Sequence, residues 1–318
     1  MFGKTRQAWY KRRDTEEAAM QQDAVIVREV RRIRAVMPRI GTRKLQYMLT
    51  EVLDKHGIAI GRDKLFNLLE EYGLLVRKRK RRKAYATNSI HPFRKYPNMV
   101  RGMEVLRPNH LWVSDMTYIS LPEGFCYLSL VTDAYSRKIV GYCLYPNYKR
   151  YGPINALQMA LAGYKKKLGA VLIHHSDRGL QYCCTDYISL LGDKGLSISM
   201  TEQSDPYENA IAERVNGILK DEFGLGKAFG SFEQASNAVD RAVDIYNNQR
   251  PHASCNYLTP QQASGMEGSI PMKWKRKQQK VEEIIIHNES GKECKPKPGL
   301  SNQGVNLFQD KTPVTIRK

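Results

Sequence analysis

The sequence predicts an α/β protein in which a mixed five-stranded sheet with helices follows an all-α, basic N-terminal region. Apolar residues recur at helical spacing in the first quarter of the chain, and three consecutive β-rich runs begin after Asn109. Helical and strand patterns then alternate. The predicted boundaries are 1–84 for a basic helical region, 85–105 for a linker, 106–265 for the α/β core and 266–318 for a basic, partly disordered tail.

The N-terminal region predicts one long helix. From residue 1 to about residue 36, apolar side chains repeat every three positions between Ala24 and Ile33, with arginines around them, and Pro38 ends the pattern. A helix-turn-helix pattern follows. Thr42 is expected to cap the helix RKLQYMLTEVLDKHG, a turn runs from Gly57 to Gly61, and RDKLFNLLEEYG forms the second helix.

This pattern is typical of a DNA-binding unit, although a basic αα-hairpin fits it equally well. In the DNA-binding interpretation, the second helix enters the major groove by its N-terminal end and the first contacts phosphates. The residues expected to contact DNA here are Arg43, Lys44, Arg62 and Lys64.

A run of basic residues follows the helices and favours a polyanion. It consists of Arg77, Lys78, Arg79, Lys80, Arg81, Arg82 and Lys83. Such a run can release counterions from a DNA backbone, although a localisation signal or a solvated linker is the alternative. The irregular stretch after it suits an extended connector that itself tracks DNA.

The net charge agrees with this expectation. The 318 residues include 51 Lys and Arg against 32 Asp and Glu, a net charge of +19. Residues 1–100 hold 24 basic and 10 acidic residues, or +14, which leaves +5 for the remaining 218. Nucleic acid is the expected partner, and a ribosomal or solubilising basic segment is the alternative.

The core elements are predicted in order from local patterns. LWVSDMTYIS, FCYLSLVTDAY and KIVGYCLY predict an antiparallel meander, and INALQMALAGYKKK predicts a helix. VLIHHS is a fourth strand, TDYISLLGDKG a helix capped by Thr185 and closed by Gly195, and LSISM a fifth strand. Two more helices, one around Glu213 and one over 231–248, complete an order that resembles the ribonuclease H-like fold.

Three carboxylates carry the predicted chemistry. Asp115 lies within the apolar first strand, Asp177 follows the fourth, and Glu213 lies on a later helix. A carboxylate buried in a strand is costly unless it meets a cation. Two divalent ions about 3.5 to 4 Å apart can activate the nucleophile and stabilise the leaving oxygen of a phosphodiester. We therefore predict Asp115, Asp177 and Glu213 as catalytic metal ligands for two Mg²⁺ ions, with Mn²⁺ as a substitute.

Other carboxylates compete for this role. Asp133 is expected in a turn, Asp186 near a helix start and Asp205 in a loop before a proline, and Asp193 is a fourth rival. Because a structural role is at hand for the first three, they are weaker candidates. The six cysteines show no zinc-site or disulfide spacing, so reduced thiols are expected.

Here a resemblance to a known family becomes specific. Thirty-five residues separate Asp177 from Glu213, an interval that looks like the D,D(35)E signature of retroviral integrases and many bacterial transposases. VSDMTYI, VTDAYSRKIVGY, HHSDRGLQY, SDPYENAIAERVNGILKDE and YNNQRPHASCNYLTPQQA resemble, in order, blocks of the insertion-sequence-three family of transposases. The resemblance covers roughly residues 25–265. It implies an integrase catalytic core that cleaves and joins DNA strands at insertion-sequence ends.

The resemblance also implies residues near the metal ligands. His175, Arg178 and Gly179 would be active-site neighbours, with Arg178 on DNA. Polar residues on the helix of Glu213 would position a DNA end, although solvent-facing side chains are the commoner explanation. They are Asn209, Asn216 and Lys220. Asn247, Arg250 and Pro251 are interpreted as packing residues.

The partners implied are DNA at the element ends and the target, further copies of this chain on DNA, and an upstream-frame protein or fusion. No membrane segment or signal peptide is recognised, so a bacterial cytoplasmic protein at the nucleoid is expected. Two alternative functions stay open at this point. One is a nuclease of the same fold without strand transfer, and the other is an inactive DNA-binding regulator.

Overall fold

The computed structural model describes residues 5–76, 91–165, 169–202 and 209–270. The basic run 77–83, the rival carboxylate Asp205 and the predicted tail from 271 onward lie outside the described residues. Within those ranges, no helix combines the length and the apolar composition needed to cross a bilayer.

The helical region consists of α1 (Arg6–Val36), α2 (Thr42–Lys55) and α3 (Arg62–Glu71). Apolar side chains at helical spacing on all three helices bury against one another, among them Val30, Leu45 and Leu65, each fully buried. The predicted helices and the turn at Gly57, with φ of +63°, are confirmed.

Two predicted caps are wrong. Thr42 is the first helical residue of α2 and is 5% exposed, and Gly41 occupies the cap position without a side-chain hydrogen bond. Thr185 likewise begins its helix after Cys184, since a short helix that the sequence pattern missed ends just before it. At both helix starts the cap residue makes no side-chain hydrogen bond, and Thr42 is buried inside the protein.

The core contains a five-stranded sheet in the order β3-β2-β1-β4-β5. The strands are β1 (Leu111–Leu121), β2 (Gly124–Asp133), β3 (Ile139–Tyr145), β4 (Ile173–Ser176) and β5 (Ser197–Met200). The first three pair antiparallel, whereas β1 with β4 and β4 with β5 pair parallel. The predicted meander is therefore confirmed, and β1 lies at the centre of the sheet.

Helices cover both faces of the sheet. They are α4 (Tyr151–Ala162), α5 (Leu180–Cys183), α6 (Thr185–Asp193), α7 (Ala210–Glu222), α8 (Phe232–Asn248) and α9 (Pro260–Ala263), with a 3₁₀ turn at Ala253–Cys255. α4 begins three residues before the predicted Ile154. Trp112 of β1 packs with α4 and α6, whereas Ile119 of the same strand packs with α7 and α8. The alternation along β1 therefore decides which helices each side chain meets.

The connector before β1 packs on protein. Pro97 O accepts a hydrogen bond from Met200 N at 3.3 Å, and Met99 N donates to Ser199 Oγ at 2.9 Å, so this segment lies along β5. The backbone of this segment is therefore engaged by the edge strand, and the expectation that the connector tracks DNA stays a prediction.

Candidate active site

Sheet register brings the two aspartates to the same level. β1 and β4 pair parallel with Val113 opposite His175, so continuing that register by two residues puts Asp115 opposite Asp177. Alternation along a strand places residues two apart on one face, and this is the face that packs against Ala212 of α7. The two predicted aspartates are thus neighbours beneath the helix that carries Glu213.

Asp115 is held by two hydrogen bonds. Its Oδ1 accepts from Met116 N at 2.9 Å and its Oδ2 from Asn216 Nδ2 at 2.9 Å. Burial, together with the charges of Asp177 and Glu213, raises the pKa of Asp115 to about 7, although the two hydrogen bonds act in the opposite direction. The carboxylate is therefore in a setting that a nearby cation would stabilise in its charged form.

Asp177 begins a tight turn after β4. Its Oδ1 accepts from Gly179 N at 3.0 Å, which fixes the side chain against its own backbone. Arg178 points toward Glu202, to whose carbonyl oxygen its Nη1 donates at 3.1 Å, and His91 lies 2.8 Å from the Arg178 carbonyl oxygen. Gly179 and Arg178 are thus neighbours of Asp177 in space as well as in sequence.

Glu213 lies in the first turn of α7 with an exposed side chain. Partial burial raises the pKa of the Glu213 carboxyl, and the charge of Asp177 raises it further. Asp177 and Glu213 therefore interact electrostatically. In the ranges that the structure describes, no three His, Cys, Asp or Glu side chains are close enough to hold one ion together. The negative charges of neighbouring carboxylates repel one another, and a cation bound between them would offset that repulsion.

Two polar residues of α7 face the sheet. Asn209 Nδ2 donates to Ser114 O at 3.0 Å, while Asn216 holds Asp115, and both side chains are buried. Because both side chains are buried, the alternative that these two residues face solvent is wrong, whereas their predicted DNA contacts stay a prediction. Their amides tie the helix of Glu213 to the strand of Asp115.

Lys220 lies farther along the same helix and is only partly exposed. Burial lowers the pKa of its ammonium, and the charge of Asp115 acts in the opposite direction. Its Nζ is 4.0 Å from the centre of the Tyr118 ring. Lys220 therefore interacts electrostatically with Asp115 and also contacts an aromatic side chain that the sequence analysis did not single out.

Lys44 makes an ion pair within the protein, and its predicted phosphate contact stays a prediction. Its Nζ lies 2.7 Å from Glu222 Oε1 and its side chain is only 17% exposed. Arg250 binds the same carboxylate, with Nε 2.8 Å from Oε2 and Nη2 2.9 Å from Oε1. Lys44 thus joins α2 to the end of α7, and Arg250 has the packing role expected of it. Arg43, Arg62 and Lys64 are exposed, and Arg62 pairs with Asp63 at 2.8 Å.

The rival aspartates have structural partners. Asp133 accepts hydrogen bonds from Asn109 N, Ser136 N and Ser136 Oγ at 2.6 to 2.8 Å, which closes the turn after β2. Asp186 pairs with Arg150 at 2.9 Å in the first turn of α6. The turn and helix-start roles expected of these two are confirmed.

His174 and His175 lie on opposite faces of β4. His174 Nε2 is 2.8 Å from Ser114 Oγ and 2.9 Å from Tyr187 Oη, and burial lowers the pKa of this imidazole to about 3. His175 Nδ1 is 2.9 Å from Ser199 Oγ. Both rings are buried and connect β4 to its neighbours, so His175 supports the strand beside Asp177 from within the sheet.

Comparisons with known proteins match this arrangement. A family described as integrase core domain matches residues 106–206, and a second family of the same description matches residues 194–260. The 31 kDa protein of insertion element IS600 from Shigella sonnei is 36% identical over 222 residues, which cover 69% of this chain and 79% of that protein. A putative transposase for insertion sequence element IS986/IS6110 from Mycobacterium tuberculosis is 32% identical, with 65% and 76% covered.

The chain belongs to the insertion-sequence-three family of transposases. Transposase InsF for insertion sequence IS3A of Escherichia coli is 36% identical over 156 residues, which cover 49% of this chain and 54% of that protein. This transposase is a DDE-type polynucleotidyl transferase with a ribonuclease H-like integrase core behind an N-terminal helical region. The predicted family, fold class and enzyme class are confirmed.

Among solved structures, the HTLV-2 integrase catalytic core domain in complex with magnesium is similar at a TM-score of 0.40 and 19% identity. It covers 51% of this chain and 99% of that one.

Proposed function

We propose that this transposase cleaves a DNA strand at an insertion-sequence end and transfers it to a new position, with Asp115, Asp177 and Glu213 as the catalytic carboxylates. The observation that carries this proposal is the register that sets Asp115 level with Asp177 beneath α7. The raised pKa of Asp115 supports it, because burial and neighbouring carboxylates make the site electrostatically suited to cations.

The chemistry of the donor groups, although not their present spacing, suits divalent cations, and we propose two Mg²⁺ ions, with Mn²⁺ as a substitute. Three carboxylates offer hard oxygen ligands, and Asn209 Oδ1 and Asn216 Oδ1 are buried acceptors with no partner among the described residues. Water molecules around Mg²⁺ could donate to such acceptors. When bound, two divalent ions supply an activated oxygen nucleophile and stabilise the leaving oxygen.

The rest of the site orients these groups. Asn216 fixes the direction of the Asp115 carboxylate, and the Gly179 amide fixes that of Asp177. Asn209 anchors the start of α7 on β1, which sets where Glu213 emerges. These contacts hold the carboxylates in place before DNA arrives.

DNA ends and target DNA are the proposed substrates, and several copies of the chain on DNA, with an upstream-frame protein or fusion, are the proposed assembly. Holding two DNA ends in one complex is suited to a symmetric multimer in which each copy binds one end, which supports the oligomer. We further propose the domain limits 1–84, 85–105, 106–265 and 266–318, with DNA contacts through Arg43, Arg62, Lys64 and residues 77–83. The concentration of charge in the first 100 residues supports these contacts and a place at the nucleoid in the bacterial cytoplasm.

A strand-joining assay tests the carboxylates. Labelled DNA ends from either side of the gene would be incubated with the parent, Asp177→Asn and Glu213→Gln in Mg²⁺ and in Mn²⁺. We expect joined products from the parent only, with DNA affinity nearly unchanged in the variants, because each removes a ligand charge and no proposed phosphate contact. Asp193→Asn, at the end of α6, is the matched control and should join DNA at the parental rate.

The outcomes separate the parts of the proposal. Joining by either site variant at the parental rate would remove that residue from the site. Cleavage without joining by the parent would favour hydrolysis over strand transfer. Silence from the parent would call for a repeat with the upstream frame fused, and continued silence there would contradict an active catalytic site.

A further inference from the structure

Four aromatic side chains form a continuous row at the end of the sheet where the carboxylates lie. Phe125 and Tyr118 meet edge to face at 5.1 Å, Tyr118 is the cross-strand partner of Tyr127, and Tyr127 meets Tyr148 at 5.0 Å. Aromatic cross-strand pairs commonly stabilise a sheet, so part of this row has a structural explanation. We call the four residues the aromatic row.

The aromatic row is far more exposed to solvent than a core cluster. Phe125 is 52% exposed, Tyr148 50% and Tyr118 42%. These exposed rings lie on adjacent strands and a loop and form one contiguous patch, unlike apolar residues scattered singly over a surface. This patch therefore offers ring faces and edges to a ligand.

The aromatic row reaches both strand-borne aspartates. At one end, Lys220 Nζ lies 4.0 Å from the centre of the Tyr118 ring, and burial lowers the pKa of this ammonium whereas the charge of Asp115 raises it. At the other, Gln181, four residues after Asp177, lowers the pKa of the Tyr148 phenol. Burial raises the pKa of Tyr148, and the charges of Asp177 and Asp115 raise it further, as expected for a ring within electrostatic reach of both.

The topology explains why the row lies at this place. β4 pairs with β1 only from Leu111 to Ser114, so the part of β1 that carries Asp115 and Tyr118 extends beyond the paired region. Tyr148 lies in the loop after β3, a strand on the side of β1 opposite β4. Carboxylates and rings therefore share one end of the sheet.

We propose that Tyr118, Phe125, Tyr127 and Tyr148, with Lys220, bind unpaired bases of the DNA strand that passes the carboxylates. Stacking on ring faces requires bases that are out of the duplex, since paired bases present only their edges in the grooves. A cation beside the rings suits the phosphates that accompany those bases. The inference rests on the proposed strand cleavage, which brings a strand to Asp115 and Asp177.

The test measures binding without chemistry. Two duplexes of identical sequence, one blunt and one with a short single-stranded extension carrying 2-aminopurine, would be titrated with the protein in EDTA. We expect the parent to bind the extended duplex more tightly and to quench the 2-aminopurine. Because no metal is present, failure of the carboxylates as metal ligands would not change this result.

Variants then assign the preference to the rings. Tyr118→Ala and Tyr148→Ala should each weaken binding of the extended duplex by roughly 5- to 100-fold and leave the blunt duplex unaffected. Tyr118→Phe and Tyr148→Phe keep the ring and should keep the preference. Phe232→Ala removes an aromatic residue that is 37% exposed and lies outside the aromatic row, so it is the matched control.

Two results would overturn the inference. One is a parent that binds both duplexes equally, and the other is an alanine variant that keeps both preference and quenching. Melting temperatures identify any variant that fails to fold, and Phe125→Ala, which removes the most exposed ring, then replaces it.

Discussion

Asn216 shows how one side chain on α7 controls the candidate site. Its amide donates to Asp115 Oδ2 at 2.9 Å while its side chain stays buried between helix and strand. A hydrogen bond to a carboxylate both orients it and stabilises its charge. Asn216 is therefore a positioning residue for Asp115.

Asn216→Ala should slow strand joining by roughly 10- to 100-fold, because a hydrogen bond to a charged group contributes about 1.5 to 3 kcal/mol. Joining rate and Mn²⁺ affinity by calorimetry would both be measured, since a purely structural role would leave the metal affinity of the folded protein unaltered. Asn155→Ala, on the exposed side of α4, is the control. Parental rate and metal affinity in Asn216→Ala would exclude the positioning role.

At the scale of elements, the sheet and α4 meet without room for a side chain. A Cβ added to Gly141 of β3 would lie 2.1 Å from Ala156 O and 2.8 Å from Ala160 N. Both atoms belong to the backbone of α4, so the clash can be relieved only by moving the helix. α4 begins directly after the loop of Tyr148, and its position therefore affects one end of the aromatic row.

Gly141→Ala should lower the free energy of unfolding by about 1 to 3 kcal/mol or more through this overpacking. Gly192→Ala is the matched control, because an added Cβ there meets nothing within 4 Å on α6. It should be neutral or stabilise the helix by up to about 1 kcal/mol. Denaturant unfolding of both variants decides the matter, and equal stabilities would contradict the close packing.

At the scale of the whole molecule, Glu222 joins the helical region to the core. Its side chain binds Lys44 of α2 and Arg250 after α8, and its carbonyl oxygen accepts from Arg39 N at 3.1 Å. Ile245 of α8 packs in the same apolar cluster as the first three helices. Glu222 ends the helix that begins beside Glu213, so the helical region is attached to the element that carries a proposed catalytic residue.

Glu222→Gln should destabilise the protein by about 3 to 5 kcal/mol at neutral pH, because it leaves two cations partly buried without their carboxylate. Burial alone would raise the pKa of Glu222, but Arg250 and Lys44 outweigh it and lower the pKa to about 2. Since the folded pKa lies below the ordinary 4.5, this stabilisation is complete above pH 4.5 and is lost as the pH falls toward 2.

The pH dependence of unfolding therefore distinguishes parent from variant. The difference in unfolding free energy between them should shrink between about pH 4.5 and pH 2. Glu51→Gln removes an exposed pair with Lys55 and should leave the stability nearly unchanged. A difference between parent and Glu222→Gln that is constant across this pH range would argue against the ion pairs as its source.

The basic run contributes at the same scale through charge. Replacing Arg79, Arg81 and Arg82 by glutamine should flatten the dependence of log affinity for DNA on log salt by about one unit per lost phosphate contact. The same three positions changed to lysine keep the charge and should keep the slope. An unchanged slope in the glutamine variant would make the run a linker.

The sequence by itself determined the order of elements and the identity of the candidate carboxylates. Strand and helix patterns are local, so β1 to β5 and the longer helices of the core follow from short runs of residues, whereas the four-residue helices α5 and α9 do not. The spacing of Asp177 and Glu213, with the ordered blocks around them, was also sufficient for the family. Helix starts were less certain, as Thr42 and Thr185 show, because backbone and packing compete with side-chain capping.

Tertiary structure alone decided which polar residues meet. Lys44 and Glu222 are 178 residues apart, and Asn216 lies 101 residues from Asp115, so no local pattern links either pair. From the sequence alone, a helix face of polar residues is interpreted as solvent-facing, because the sheet against which it packs is not known. The partner of a charged or amide group depends on which distant segments of the chain folding brings together. The residue types of the site were therefore predictable from the sequence, and their contacts were not.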